Sequence, residues 1–193
     1  DSTLERVGGM AISGGLNRPR NLSLRRRIQR IMDKKLYIAY GSNLNIKQMA
    51  NRCPTAKVVG ASMLKDWRLL FRGAHASAVA TVEPFKGGSV PVLVWELTST
   101  DEAALDRYEG WPFLYRKETV KVKLGGKNVK AMMYVMNEGR PLGQPSCYYY
   151  TTILEGYKDA GFDLDILRHA DGQGRGCADD RRAAHDAASG VCQ

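Results

Sequence analysis

Glu109 stands between Tyr108 and Gly110, with Trp111 and Phe113 just beyond. A carboxylate in so apolar a setting loses solvation once buried, and its pKa climbs toward neutrality. An acid of that kind suits proton transfer near pH 7. A second chemical candidate is Leu36 to Leu44 (LYIAYGSNL), an apolar strand running into Gly41, Ser42 and Asn43. Glycine there permits φ > 0 or a close approach of a ligand to the backbone. Backbone N–H groups after such a turn can form an anion-binding nest, while Ser42 and Asn43 can bond a ligand or cap the next helix. A third segment, Pro145 to Tyr150 (PSCYYY), offers phenols. Taken one at a time, each has a plain alternative. The turn can be a tight bend with an N-cap and no ligand. Glu109 can face water or bond Arg107 or Arg116. The tyrosines can be core aromatics with satisfied hydroxyls. A glutamate at a helix C-terminus sits at the unfavourable end of the macrodipole, a misfit that leans toward function.

The elements that position these residues follow from pattern. A strand at 35–40 leads into the Gly41 turn. Ile46 and Met49 have helical spacing within Asn45 to Arg52, and Cys53-Pro54 stops that helix. Val58 to Phe71 reads as one long or broken strand, and His75 to Val82 as another, with small residues Ala76, Ser77, Ala78 and Ala80. Lys86 to Ser89 reads as a turn, followed by an apolar strand from Val90 to Leu97. Ser99 or Thr100 with Asp101 and Glu102 opens a helix that Gly110 and Pro112 end, so Glu109 falls at its last turn. Phe113 to Leu124 and Val129 to Met136 pair across Gly125-Gly126. Ser146 opens a final helix closed by Gly161. Five to seven strands with two or three short helices make an α+β domain.

The chain has 193 residues, enough for one domain with a real core. No apolar run approaches the roughly 20 residues of a membrane span. The formal charge of +9 is uneven, with +5 in residues 1–32 and −1 in 171–193. The Arg-rich stretch Asn21 to Arg30 could serve as a nucleic-acid or membrane arm, or as an organelle transit segment. It reads more plainly as a solvated leader, disordered or foreign to the native protein. The expected division is thus a leader over 1–32, a domain over 33–170 and a flexible tail over 171–193. A nucleic-acid-binding protein is a rival suggested by the pI of 9.5, but no recognition helix, zinc knuckle or aromatic–basic repeat accompanies it. Cys53, Cys147, Cys177 and Cys192 show no Cys-x-x-Cys spacing, and His75, His169 and His185 are scattered. That argues against zinc and leaves the cysteines as reduced thiols of a cytoplasmic protein.

In their order and spacing the three segments resemble the gamma-glutamyl cyclotransferase superfamily, over residues 35–168. The Tyr-Gly-Ser-Asn-Leu loop stands intact as Tyr40, Gly41, Ser42, Asn43 and Leu44, which the resemblance makes the substrate-holding loop. A Leu-Asp-x-x-Glu-Gly pattern makes Glu109 the acid/base residue, and a Pro-Ser-x-x-Tyr pattern points to Tyr149 as a pocket tyrosine. Tyr115 is a further pocket candidate. The resemblance implies a small mixed β-barrel with helices packed outside. It also implies intramolecular attack of an α-amine on a γ-glutamyl amide, releasing 5-oxoproline without metal or cofactor, as in glutathione metabolism. The resemblance leaves γ-glutamyl amino acids, γ-glutamyl amines, glutathione itself and γ-glutamyl groups on a biosynthetic intermediate as substrates, and the Tyr-Gly-Ser-Asn-Leu form leans toward the amino-acid type. A non-catalytic small-anion-binding module of the same fold is the alternative, and a homodimer is among the states left open.

Overall fold

A computed structural model of the chain describes residues 35–74 and 76–171. The expectations for the leader and for the tail beyond Asp171 fall outside them. The strands are β1 (Lys35–Ala39), β2 (Lys57–Arg72), β3 (Val79–Leu97), β4 (Tyr115–Leu124) and β5 (Lys127–Met136). The helices are α1 (Ile46–Arg52), α2 (Ser99–Tyr108), α3 (Cys147–Ala160) and α4 (Leu164–Ala170). The strands form one mixed sheet in the order β2-β3-β1-β5-β4. Central β1 runs antiparallel to β3 and parallel to β5. The α+β class is as expected.

The barrel is not. No ladder joins the sheet's two edge strands among the described residues. A side-chain bridge joins them: Ser62 Oγ of β2 donates to the Lys123 carbonyl of β4 at 2.7 Å. The first part of β3 also returns over the end of β5. There the Met136 N–H donates to Thr81 Oγ1 at 3.1 Å, and Tyr115 OH to the Ala80 carbonyl at 2.6 Å. The long β2–β3 hairpin breaks register between Val58 and Gly60 and between Lys65 and Trp67. Such bulges bend a ribbon and increase its twist.

Local chemistry sets most boundaries. The Asn45 side chain accepts from the Gln48 N–H and starts α1. Thr98 and Asp101 form a capping box at the start of α2, one residue before the expected start at Ser99 or Thr100. Gly110 (φ 65°) ends that helix in the left-handed conformation that glycine adopts at least cost. Ser146 caps α3 and Gly161 closes it. Three expectations shift. The strand expected from His75 starts at Val79. Lys86 to Ser89 does not end a strand: β3 runs through it, and residues between Pro84 and Ser89 bulge out opposite Asp66, whose Oδ1 accepts from the Gly87 N–H at 2.9 Å. A further helix, α4, follows α3, capped by Asp163 and anchored by the fully buried Leu167.

Ile38, Leu44, Met49, Val92, Val94, Leu105 and Ile153 are completely buried and tie sheet to helices. No helix among the described residues is long and apolar enough to cross a membrane.

Gly156 lets α3 lie directly on the turn after β1. A Cβ there would meet Leu44 Cβ at 2.7 Å and the Asn45 amide nitrogen at 2.9 Å. Backbone cannot yield cheaply, so Gly156→Ala is expected to destabilise the protein by roughly 1–3 kcal/mol in denaturant unfolding. Helix propensity alone dictates a gain of up to about 1 kcal/mol; observing that gain would overturn this packing account.

Candidate active site

Gly41 joins β1 to the turn that holds Ser42, Asn43 and Leu44. Gly41 has φ −115°, not a positive value. Its lack of a side chain matters because a Cβ would meet Ala80 Cβ at 3.2 Å and Tyr149 OH at 3.6 Å. The turn's own hydrogen bonds run from the Leu44 N–H to the Gly41 carbonyl (2.9 Å) and from the Asn45 N–H to the Ser42 carbonyl. The N–H groups of Ser42 and Asn43 are left out of them. Leu44 therefore differs from its neighbours: its N–H is spent, its side chain is fully buried, and it does not line the cavity.

Glu109 is the C-cap of α2, and its N–H still bonds the Leu105 carbonyl at 2.8 Å. That places its carboxyl beside the turn, where Oε1 accepts from Asn43 Nδ2 at 2.8 Å. The same Nδ2 donates to Tyr37 OH at 2.8 Å, and Asn43 Oδ1 accepts from Arg52 Nη1 at 2.8 Å. Burial pushes the Glu109 pKa up to about 7, against the opposing pull of the Asn43 hydrogen bond and the Arg52 charge. Loss of hydration outweighs both favourable contacts.

Tyr37, Tyr40, Gly41, Ser42, Asn43, Ala80, Glu109, Tyr115, Tyr134 and Tyr149 enclose a cavity with about 20 Å³ open to water, room for a single molecule. All the expected residues except Leu44 are brought together there. The phenols are not equivalent. Tyr40 OH donates to the Tyr134 carbonyl at 2.6 Å and Tyr115 OH to the Ala80 carbonyl, so each offers a ligand only lone pairs. Tyr149 OH instead accepts from the Ala80 N–H at 3.2 Å and keeps its own proton to give. Burial raises the pKa of each of these hydroxyls, so they stay neutral.

Sequence reading missed Tyr37, Tyr134, Arg52 and Tyr108. Tyr134 OH donates to Asp106 Oδ1 at 2.6 Å, and Asp106 also holds Lys117 at 2.7 Å, which fixes α2 against β4 and β5. Tyr108, 45% exposed, meets Ser42 Oγ at 3.2 Å and stands between cavity and solvent. A signal was available for Tyr37: strand alternation puts it on the face of Ala39, opposite Ile38, four residues before Gly41.

Cys53, a free thiol, is buried, and burial pushes its pKa up to about 11. That removes it as a nucleophile. Cys147 is disulfide-bonded, which corrects the expectation of a reduced thiol there. Among the described residues no group of three or more His, Cys, Asp and Glu could hold a metal ion. A larger cavity of about 360 Å³ lies along Arg72, Thr81, Arg116 and Arg140. Its Arg72 and Arg116 are already paired with Glu83 and Glu118, and it lacks a buried acid.

Solved structures give the fold its class. A gamma-glutamyl cyclotransferase structure superposes with a TM-score of 0.65 at 28% identity, covering 72% of this chain and 88% of that one. The chain belongs to the family described as "Gamma-glutamyl cyclotransferase, AIG2-like", whose profile matches residues 37–152. It is similar to human gamma-glutamylcyclotransferase, 30% identical over 141 residues that span 67% of this chain and 73% of the human protein. The bovine gamma-glutamylcyclotransferase is 29% identical over 142 residues, covering 69% and 75%.

The raised pKa of Glu109 has a cost in stability. The folded protein holds this proton more tightly than the unfolded chain does. Its contribution is therefore full below the ordinary glutamate value and is lost as pH rises through about 7, by at most roughly 3 kcal/mol. Glu109→Gln retains an oxygen for Asn43 and removes the titration. The variant is expected to unfold at a higher temperature than the wild type at pH 8, with the difference shrinking toward pH 5. Equal melting temperatures at both pH values would show that the carboxyl is solvated.

Proposed function

We propose that the chain releases 5-oxoproline from γ-glutamyl compounds, with Glu109 as general acid/base. The observation that carries this reading is the sheltered Glu109 carboxyl, with a pKa near 7, beside the Gly41–Asn43 turn. A γ-glutamyl amide carries its own nucleophile, an α-amine positioned to close a five-membered ring on the γ-carbonyl. That amine is mostly protonated at neutral pH. Ionised Glu109 takes one of its protons, and the free amine attacks the γ-carbon. The carbon–nitrogen bond to the leaving group then breaks as Glu109 returns the proton to the departing nitrogen. A second proton follows the same route from the ring nitrogen, so the products are a neutral lactam and a protonated amine.

Holding the ligand folded on itself supplies much of the acceleration, since orientation of this kind lowers barriers by about 7–11 kcal/mol at its best. The Ser42 and Asn43 N–H groups serve the glutamyl α-carboxylate or the oxygen that gains charge in the tetrahedral intermediate. Tyr149 and Tyr37, whose hydroxyls accept from the Ala80 N–H and from Asn43 Nδ2, have phenolic protons to give, while Tyr40 and Tyr115 orient the α-ammonium through their lone pairs. Domain limits of 33–170 fit this reading, because every residue it uses lies inside them.

Glu109→Gln is expected to lower 5-oxoproline release from γ-glutamyl dipeptides by roughly a hundredfold to ten-thousandfold while dipeptide binding persists. Activity retained within a few-fold would remove Glu109 from the mechanism. In the wild type, kcat/KM should fall about tenfold per pH unit below about 7, as the base becomes protonated. A flat profile from pH 5 to 8 contradicts the assigned base.

A further inference from the structure

Arg52 ends α1 and comes over the Ser42–Asn43 turn from outside the cavity. It enters none of the ion pairs formed among the described residues. Its guanidinium is nevertheless held firmly. Nη1 donates to Asn43 Oδ1, while Nη2 donates to Gln48 Oε1 at 2.9 Å and to Tyr108 OH at 2.7 Å. The group lies 3.7 Å from the centre of the Tyr108 ring. Its Nε takes no acceptor among the described residues. A fixed, half-buried cation with unspent donors is a ready receiver for a carboxylate.

The cavity wall itself contains no cation; it offers phenols, amides and one acid. A carboxylate on the outer half of a ligand therefore finds its counter-charge at the rim. The orientation follows from the chemistry proposed above, on which this inference rests. The glutamyl half points inward, because its α-amine must reach Glu109. The leaving half then points outward, past Ser42, toward Tyr108 and Arg52. Gln48 and Tyr148 extend the same polar edge, with Gln48 Nε2 donating to Tyr148 OH at 3.3 Å. The cavity has room for about one water molecule, so a larger ligand has to part the Ser42–Tyr108 contact, which opens the way to the guanidinium.

We propose that Arg52 is the specificity-determining residue for the leaving group: its guanidinium receives the carboxylate of the departing amino acid, so the chain favours γ-glutamyl amino acids over γ-glutamyl amines. The Tyr108 ring, stacked on the same guanidinium, packs against the departing side chain.

The test compares γ-glutamyl-alanine with γ-glutamyl-ethylamine, which is the same ligand without the outer carboxylate. Wild-type protein is expected to prefer the dipeptide, by kcat/KM, at least tenfold. Arg52→Gln should cut that preference about tenfold to a hundredfold, chiefly through KM, and Arg52→Lys should restore part of it. If Arg52 served only the fold or the charge state of Glu109, both compounds would lose equally and the preference would stand; that result overturns the inference. A second arm titrates both ligands calorimetrically into Glu109→Gln and into Glu109→Gln/Arg52→Gln. Should the wild type release no 5-oxoproline, the catalytic reading fails, yet tighter binding of the dipeptide that disappears with Arg52 still upholds the role proposed here. Equal binding of both ligands to Glu109→Gln ends it.

Discussion

The Asn43 side chain is the joint on which the site depends. Its amide is almost fully buried, and both ends are occupied. The nitrogen holds Glu109 from the end of α2 and Tyr37 from β1, and the oxygen takes Arg52 from the end of α1. Three elements thus meet on one planar group: β1 and α1 from either side of the turn, and α2 from far along the sequence. The polarity is fixed too, because a flipped amide would aim its oxygen at a carboxylate. Donation from Nδ2 satisfies Glu109 whether or not the acid carries a proton, so the turn need not rearrange while a proton comes and goes.

Around that joint the protein keeps a carboxyl group dry, against its solvation preference, and surrounds it with neutral hydroxyls. The cost is tolerable because the supporting charges lie one layer away. Lys117 bridges Glu102 and Asp106, and Lys35 also reaches Glu102. These pairs hold α2 to the sheet at partly buried positions outside the cavity. The buried position is left to a single titratable acid.

Much of the fold was legible because its signals are local. Ser146, Gly110 and Gly161 mark helix ends by capping chemistry, and Gly125-Gly126 marks a hairpin, whereas the cap of α1 is Asn45 and not the expected Ser42 or Asn43. The break at Lys86 to Ser89 was misread because glycines that permit a turn also permit a bulge; the choice rests on Asp66, twenty residues away in sequence, whose carboxylate holds the Gly87 N–H. Strand closure was likewise out of reach of local pattern, since it depends on where β3 returns over β5. At the site, Glu109, Tyr149 and the turn could be found as motifs. Arg52 and Tyr108 could not, because their importance lies in bonds to Asn43 and Ser42 that only the folded chain creates. Leu44 shows the converse: it belongs to the motif, yet its place is in the core.

One consequence of the α3 contact with the turn reaches further than packing. Tyr149 and Gly156 are seven residues apart, two helical turns along one face, or about 10 Å. Gly156 rests on Leu44 while Tyr149 rests over Gly41. The helix is therefore seated at two bearings on the same loop, like a beam on two supports. Tilting it about either one lifts the other, so the depth of the phenol over the glycine is set by mechanical leverage from a residue that never touches a ligand.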